Sequence, residues 1–436
     1  MRNSTKSRSV ACAVAVALLG AVLVPAAQSA GPPNSVVDWN AIAQTAAITT
    51  AKQAPSEATI TLAYIQAAVY DATVTIDGGR PYGPWQRPRR HASVDAAVST
   101  AAHDMLVHLL PAQTTTFDVD YATALAAVPD GHAKDSGVAV GQLAAAGIIA
   151  ARQGDGYQTD IGFTMPPPAP GVWQLPAGQT PLTPWVSTMR PFLLAAPDQF
   201  RPGPPPALTS RAWAREFNEV KAVGGATSTV RTPEQTMIAR FWTSHGAQQW
   251  NTALGQLISS RGFDVDQAAR LFAMVDLTGA DASIGCFDAK YHYLFWRPQF
   301  AVPLAGTDGN PATTADPTWT PLVATPTHPE YPSAHGCAST AEADALSAFL
   351  GTRRIGIDMP SFGGGDRSFA SLRHGRRDDH RDPQRPRLGR AALSRLDTRG
   401  LAARRPGSPL GPVPRPVQGR QPTDPTLTLT DLPVRR

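Results

Sequence analysis

Long apolar segments and internal repeats are absent from this 436-residue chain beyond its first thirty residues, and cysteine is scarce. Without an apolar run of about 20 residues, no segment beyond residue 30 is expected to span a bilayer. Only Cys286 and Cys337 follow that point. The sequence leaves two alternatives open for them: a disulfide bond or two free buried thiols.

Basic residues form no stripe interleaved with aromatic residues in the body of the chain, although the formal net charge is +5. The positive charge lies in residues 373–436, which contain 15 Arg, no Lys and 6 Asp. Residues 1–372 carry 24 basic and 28 acidic side chains. Nucleic-acid-binding domains concentrate positive charge on one folded face. We therefore expect no nucleic-acid partner.

The first thirty residues have the three parts of a secretory signal peptide. Arg2, Lys6 and Arg8 are positively charged, residues 10–24 are apolar, and small residues at 26–30 offer a cleavage site. The apolar part is shorter than a typical transmembrane helix, which disfavours the alternative of an uncleaved anchor. We predict a secreted protein, extracellular or periplasmic, with a signal peptide at residues 1–30 and no membrane span after cleavage.

The remaining chain is typical of helices separated by proline-rich loops, and we predict an all-α fold of helical bundles. Residues 31–153 form an N-terminal helical part and residues 211–372 a C-terminal one. Apolar residues recur at helical spacing in the segments Glu57–Val74, Ala92–Leu110, His132–Arg152, Ala212–Val223, Pro233–His245, Thr252–Ser260, Val265–Trp296 and Ser333–Gly351. The Arg/Pro-rich tail, residues 373–436, is predicted to be disordered.

Residues 154–210 separate the two helical parts and contain two proline triplets together with Trp173 and Trp185. A loop of this length is uncommon unless it has a function. It can wrap around the bundle or cover a pocket as a lid. The sequence favours wrapping.

Two cations lie seven residues apart near the end of the longest predicted helix. Lys290 and Arg297 would face the same way, because seven residues are close to two helical turns. Such a pair is most often a solvated helix face, but here residues 291 and 293–296 are apolar or aromatic. Cations in such surroundings are costly to bury without an anion. The pattern therefore favours a site where the Arg fork and the mobile Lys charge bind a tetrahedral oxyanion.

A second element, residues 331–336 with the sequence Tyr-Pro-Ser-Ala-His-Gly, opens a predicted helix. Unpaired N–H groups and the helix dipole make such an N-terminus suitable for phosphate-like anions. Ser333 can cap the helix and donate from its hydroxyl, and His335 can act as a general acid or base near neutral pH. The alternative is a plain capped helix with a partly buried histidine.

Together these two elements resemble the paired signatures of the vanadium haloperoxidase and type 2 phosphatidic acid phosphatase superfamily. Lys290, six intervening residues and Arg297-Pro298 resemble the first signature. Residues 332–335 resemble the second, with Ala where many members have Gly. Further likeness to secreted bacterial members covers most of residues 36–372.

The resemblance implies an all-helical fold with two bundles and a rigid pocket for phosphate or vanadate. By this likeness Lys290 and Arg297 would bind equatorial oxygens, and Ser333 and the amide of Ala334 would donate further hydrogen bonds. His335 would be catalytic, protonating the leaving oxygen in a phosphatase or assisting peroxide activation in a haloperoxidase. The implied cofactor is vanadate, and the implied substrates are halide and peroxide, or a phosphate ester.

The third signature of the superfamily, an Arg, five residues and then a His, is missing from this chain. In the superfamily that His ligates vanadium in haloperoxidases and attacks phosphorus in phosphatases. His374 and His380 are the only histidines after the second signature, and neither follows an Arg at this spacing. We predict that both are surface residues, so no vanadium ligand is assigned.

A frameshift would explain the missing signature. Residues 373–436 contain no Lys, Glu, Ile, Met, Phe, Trp or Tyr, as expected for a GC-rich gene read out of frame. The codons of residues 385–395, read one nucleotide later with suitable third bases, can encode Ala-Arg-Val-Trp-Gly-Gly-Leu-His-Tyr-Arg. That string contains the missing signature, although the third bases are chosen to fit. We hypothesise a frameshift close to Leu372 and an inactive or severely impaired chain.

Three functions remain open at this point. A vanadium-dependent haloperoxidase is the first choice, because the N-terminal likeness is to soluble secreted members. The second is a metal-free phosphomonoesterase similar to phosphatidic acid phosphatases. The third is a non-catalytic secreted relative that keeps an anion pocket, which the missing third signature favours. The oligomeric state stays open.

Overall fold

The computed structural model describes residues 33–352, 355–362 and 369–374. The predicted signal peptide lies outside the described residues, as does the predicted disordered tail apart from its first two residues. His380 also lies outside them. Within the described part, no helix combines the length and apolarity needed to cross a membrane.

Helices dominate the described residues, which confirms the predicted all-α class. The α-helices are α1 (Ser35–Gln44), α2 (Pro55–Asp77), α3 (Val94–Leu109), α4 (Thr114–Ala126), α5 (His132–Ala151), α6 (Arg211–Gly224), α7 (Pro233–Phe241), α8 (Gly246–Arg261), α9 (Val265–Tyr293), α10 (Pro298–Ala301) and α11 (Ala334–Leu350). A π-helical turn covers Thr45–Thr50, and 3₁₀ turns cover Pro111–Gln113, Pro184–Thr188 and Ala305–Thr307.

One small antiparallel sheet accompanies the helices and was not predicted. Strand β1 (Ile355–Pro360) pairs with β2 (Phe369–His374). Ile357 and Met359 of β1 are buried in the main core. The side chain of Gln249 on α8 donates to the last carbonyl of β1 at 2.9 Å. The strand therefore packs along α8 and extends the core beyond α11.

Helix α2 lies at the centre of the fold and packs against α3, α5 and α9. Nearly every side chain from Ser56 to Ile76 is buried. The helix begins with Pro55, whose ring presets a helical backbone, and ends at Gly78, whose φ of 82° suits glycine. Its many alanines let neighbouring helices approach closely.

Helices α3 and α5 pack most tightly where α5 carries glycine. A Cβ built at Gly137 would lie 2.4 Å from the carbonyl oxygen of Ser93, and one at Gly141 would lie 2.5 Å from that of Ala97. Real Cβ atoms do not approach backbone so closely. The two glycines lie one turn apart on the same face, so the helix spacing depends on both.

Helix α9 ends at Tyr293, earlier than the predicted end at Trp296, because Leu294 has a left-handed φ of 47°. The N–H of Leu294 donates to the carbonyl of Lys290 at 2.9 Å, which closes the helix. Arg297 lies beyond this end in extended backbone, at φ −90° and ψ 153°. The prediction that Lys290 and Arg297 share one helix face is therefore wrong.

The break between α7 and α8 also differs from the prediction. Helix α7 ends at Phe241 rather than His245, and α8 begins at Gly246 rather than Thr252. His245 has an extended backbone at φ −67° and ψ 108° and is the N-cap of α8, so α8 begins directly after it.

The loop at residues 154–210 runs along α9. Backbone N–H groups of residues 192–194 donate to the carboxylate of Asp281 at 2.5 to 2.8 Å. Arg201 pairs with Asp288 through two contacts of 2.6 and 2.7 Å. The hydroxyl of Tyr291 donates to a loop carbonyl at 2.8 Å. The loop thus contacts three successive parts of the helix that carries Lys290.

Candidate oxyanion site

Lys290 lies in the last turn of α9 with only 1% of its surface exposed. Its Nζ donates to the carbonyl oxygens of Pro329 at 2.7 Å and Glu330 at 3.0 Å. Burial lowers the pKa of Lys290 to about 8, with Cys286 opposing the shift and Arg297 adding to it. Among the described residues no carboxylate pairs with this ammonium. Carbonyl dipoles and the nearby Cys286 and Glu330 offset its buried charge.

Arg297 reaches the same loop from beyond the end of α9. Its Nε donates to the carbonyl of His328 at 2.7 Å, and its Nη1 pairs with Oε2 of Glu330 at 2.9 Å. The side chain of Arg297 is 12% exposed and that of Glu330 31% exposed, so this ion pair is only partly solvated. Because a backbone and a side-chain acceptor engage different nitrogens, the planar guanidinium is held in one orientation.

The two cations meet at residues 328–330, the segment that leads into α11. Arg297 binds the carbonyl of the first of these residues, and Lys290 binds the carbonyls of the other two. Ser333 follows three positions later and starts the helix. Positive charge is therefore concentrated beside a helix N-terminus, which adds its own partial positive charge.

His328 and Glu330 were not predicted as site residues, yet both contact Arg297. His328 is 8% exposed and packs on the ring of Phe287. Burial lowers the pKa of His328 well below its ordinary value, and the charges of Lys290 and Arg297 lower it further. A neutral imidazole can accept the bond that Nη2 of Arg297 makes to Nδ1 at 2.8 Å. The sequence signal that could have identified His328 and Glu330 is their position just before the second signature.

Ser333 caps α11. Its Oγ accepts a hydrogen bond from the N–H of Gly336 at 3.2 Å, with an extended backbone at φ −72° and ψ 121°. Since Oγ is the acceptor there, its hydroxyl hydrogen remains able to donate. Ala334 is the first helical residue, and N–H groups in a first turn have no acceptor within their own helix.

His335 is the second residue of α11 and turns toward the link between α7 and α8. Its ring bonds to the carbonyl of Ser244 and lies edge-on to Trp242, with centroids 6.0 Å apart. Burial lowers the pKa of His335, the bond to Ser244 opposes this, and the charges of Lys290 and His245 lower it again. The imidazole is therefore neutral near pH 7. One ring nitrogen donates to Ser244, which leaves the other as a base.

The groups gathered here suit an oxyanion. In the described part of the chain, no cluster of three or more His, Cys, Asp or Glu side chains could hold a metal cation. The site offers hydrogen-bond donors instead: an ammonium, a guanidinium, a hydroxyl and helix N–H groups. A buried ammonium without a carboxylate partner is stabilised by a bound anion. Lys290 is such a group, so these residues fit vanadate or phosphate.

The part of the chain that contains this site matches a known domain. Residues 270–372 match the family model described as the VCPO second helical-bundle domain. Vanadium chloroperoxidase from Curvularia inaequalis is 31% identical over a region that covers 30% of this chain and 26% of that protein. The match thus spans about a quarter of that relative's length.

Two solved structures share the fold over most of the chain. A bacterial vanadium-dependent iodoperoxidase is 22% identical with a TM-score of 0.61, covering 74% of this chain and 81% of that one. A holo-type bacterial vanadium-dependent chloroperoxidase is 17% identical with a TM-score of 0.59, covering 79% and 88%. At these identities the likeness establishes the fold. The family match, the curated relative and the shared fold together support the vanadium haloperoxidase superfamily that the sequence resembles.

Proposed function

We propose that this chain binds vanadate or phosphate through Lys290, Arg297, Ser333 and the amide of Ala334, in a site built for peroxide-dependent halide oxidation. One observation carries the proposal. A fully buried lysine without a carboxylate partner and a neighbouring arginine bind consecutive carbonyls beside the N-terminus of α11. That arrangement puts the ammonium of Lys290, which has no carboxylate partner, beside a helix N-terminus whose dipole adds to its positive charge.

Each residue has a separate task in this proposal. Lys290 supplies a charge whose third N–H can turn to an anion, and Arg297 holds the loop at residues 328–330 in place. Ser333 donates its hydroxyl hydrogen. His335, neutral and fixed by Ser244, can take up and return a proton through its second ring nitrogen. Vanadate, when bound, supplies the chemistry that makes peroxide an oxidant of halide.

The similar proteins support haloperoxidase chemistry as the first choice, since the curated relative and both solved structures are named for it. A metal-free phosphomonoesterase is the second candidate, because the same donors and a neutral histidine also suit a phosphate ester. Soluble substrates, halide with peroxide or a phosphate ester, are proposed partners. Secretion after cleavage of residues 1–30 is part of the proposal.

Turnover by this chain is proposed to be impaired. The third signature is missing from the sequence, and the match to the family model ends at residue 372, where the composition of the chain changes. Both facts support a frameshift near Leu372. They also support the third candidate, a non-catalytic relative that retains anion binding.

Binding and turnover separate these candidates. Calorimetric titration of the purified chain with orthovanadate and with inorganic phosphate measures anion affinity at the proposed site, and Lys290→Met is the test variant. Lys221→Met is the matched control, because Lys221 is only partly buried and its Nζ donates to the carbonyl of Thr314, away from α9 and α11. We expect binding to fall for the first variant and to stay unchanged for the second. Equal binding by both variants contradicts the proposed site.

Vanadate has opposite effects on the two enzymatic candidates. It activates peroxide-dependent halide oxidation in a haloperoxidase and inhibits ester hydrolysis in a phosphatase. Bromide oxidation and hydrolysis of a chromogenic phosphate monoester, each with and without vanadate, therefore distinguish them. Anion binding without either activity supports the non-catalytic candidate.

A further inference from the structure

The two cysteines of the described chain meet beside the proposed anion site. Cys286 lies on α9, one turn before Lys290, and Cys337 lies in the first turn of α11, just after His335. The two thiols are in hydrogen-bond contact. The Sγ of Cys286 lies 3.6 Å from the carbonyl oxygen of Ser333, which also accepts the N–H of Cys337 at 2.9 Å.

A pocket leads from the surface to this pair. The pocket is small and its walls are mainly apolar, with side chains from the loop at residues 154–210 on one side. Cys286, Cys337 and Pro332 line the other side. Cys286 itself is 3% exposed, whereas Cys337 is partly exposed. A small uncharged oxidant such as hydrogen peroxide can therefore reach the sulfur atoms through the pocket.

We propose that Cys286 and Cys337 are a modification site, at which hydrogen peroxide drives an intramolecular disulfide that cross-links α9 to α11. The two thiols are hydrogen-bonded to each other and line one pocket, so the second sulfur lies close to the first once the first is oxidised. The cross-link joins the helix that carries Lys290 to the helix that carries Ser333 and His335. This inference goes beyond the proposed function and needs neither vanadate nor halide.

The two sulfur atoms have different roles in the reaction. Burial disfavours ionisation of Cys286, but the hydrogen bond from Cys337 and the charge of Lys290 outweigh it and lower the pKa of Cys286. The bond to Cys286 and burial raise the pKa of Cys337 well above its ordinary value. Cys286 is therefore the more acidic thiol and the nucleophile, and Cys337 is the resolving thiol.

The reaction balances with one peroxide and no other co-reactant. The sulfur of Cys286 attacks one peroxide oxygen, the O–O bond breaks, and hydroxide leaves and takes the proton of the original thiol as water. This step oxidises Cys286 to a sulfenic acid. The sulfur of Cys337 then attacks that sulfur, the S–S bond forms, and the S–O bond breaks. The second water carries away the proton of Cys337.

The test uses the reduced full chain, with Cys12→Ser as background so that the third cysteine takes no part. The chain is treated with equimolar hydrogen peroxide without vanadate or halide, then alkylated under denaturing conditions and analysed by intact mass and peptide mapping. We expect the loss of the mass of two hydrogen atoms and a linked peptide that contains both cysteines. A dithiol reductant should reverse both changes.

Stability provides a second readout. Closing a loop of about fifty residues should raise the midpoint of thermal unfolding by several degrees over the reduced chain. Cys286→Ser and Cys337→Ser should show no such rise, and peroxide should add oxygen atoms to their remaining thiol. Oxygen adducts on the unsubstituted pair without a linked peptide, or thiols that stay alkylatable, overturn the proposal. Phosphate titration of the reduced chain is scored separately and tests only the anion site.

Discussion

Lys290 and Arg297 donate hydrogen bonds to the carbonyls of adjacent residues, Pro329 and His328, although they lie on different elements. Lys290 reaches this loop from the last turn of α9, and Arg297 reaches it from the extended segment before α10. The loop continues directly into α11. The position of the proposed anion site therefore depends on both cations, and a separate prediction follows for each of them.

Anion affinity should fall as the pH rises through about 8, because burial lowers the pKa of Lys290 to about 8. Protonated Lys290 attracts the anion, and the neutral amine does not. Calorimetric phosphate titrations from about pH 6.5 to 9.5 should show a wild-type advantage over Lys290→Met of about tenfold or more at the low end. Because phosphate titrates identically in both experiments, its own ionisation cancels. A constant advantage across the range contradicts the assignment.

Arg297→Lys should weaken phosphate binding by roughly 10- to 100-fold although it preserves the charge. A lysine cannot bond at once to the carbonyl of His328 and to Glu330, so the loop loses its orientation. Arg201→Lys is the control, since Arg201 also pairs with a carboxylate but lies on the loop along α9. Equal phosphate affinities for Arg297→Lys and Arg201→Lys would show that anion binding does not require the guanidinium of Arg297.

Two buried carboxyl groups should make the fold less stable as the pH rises. Asp276 and Glu342 are 1% and 3% exposed. Burial raises the pKa of Asp276 from 3.8 to about 7. Burial and then the charge of Asp276 raise the pKa of Glu342 well above its ordinary value. Both groups bind protons more tightly when folded, so their stabilisation is complete below about pH 4 and is lost as the pH rises through about 7.

Glu342→Gln should abolish the part of this loss of stability that arises from ionisation of Glu342. Urea unfolding at about pH 5, 6, 7 and 8 should give a shallower decline for this variant, with the largest difference at the highest pH. Glu234→Gln, which changes an exposed carboxylate in the first turn of α7, serves as the control. A wild-type free energy of unfolding that rises over this range is the contrary outcome.

Gly141→Ala should destabilise the fold by about 1–3 kcal/mol, because its Cβ would lie 2.5 Å from the carbonyl of Ala97. Gly255→Ala is the matched change on α8, where the nearest atom is a Val37 methyl at 3.6 Å. That variant should gain roughly 0.5–1 kcal/mol from helix propensity. Denaturant unfolding of both measures the difference, and equal effects would show that α3 and α5 are not closely packed.

The last prediction concerns the reading frame of the gene. We expect this chain to show no halide oxidation above background with vanadate, because it lacks the third signature. The gene reread one nucleotide later beyond codon 372 should encode that signature and restore turnover. Sequencing the DNA across this codon and measuring the mass of the expressed tail check the idea. An intact frame, or normal turnover by the present chain, contradicts it.

Local sequence signals determined the helical class and several helix ends. The Pro-Ser start and Gly351 delimit α11 as predicted, since Ser333 caps the helix and Gly351 has a left-handed φ of 64°. These features depend on contacts within a few residues, so they can be inferred from the sequence alone. Other elements have weaker signals: α4 buries only Phe117, and no segment was assigned to it.

Contacts between residues far apart in the chain determine how the residues of the proposed anion site are arranged. The sequence predicts one continuous helix that carries both Lys290 and Arg297. Leu294 instead ends that helix in a left-handed conformation, which most non-glycine residues disfavour. The distant loop holds it there, because the N–H of Trp173 donates to the carbonyl of Leu294 at 2.7 Å. Such a bond between residues far apart in the chain has no local sequence signal. For the same reason the roles of His328 and Glu330, and the contact of the two thiols, became visible only in the tertiary structure.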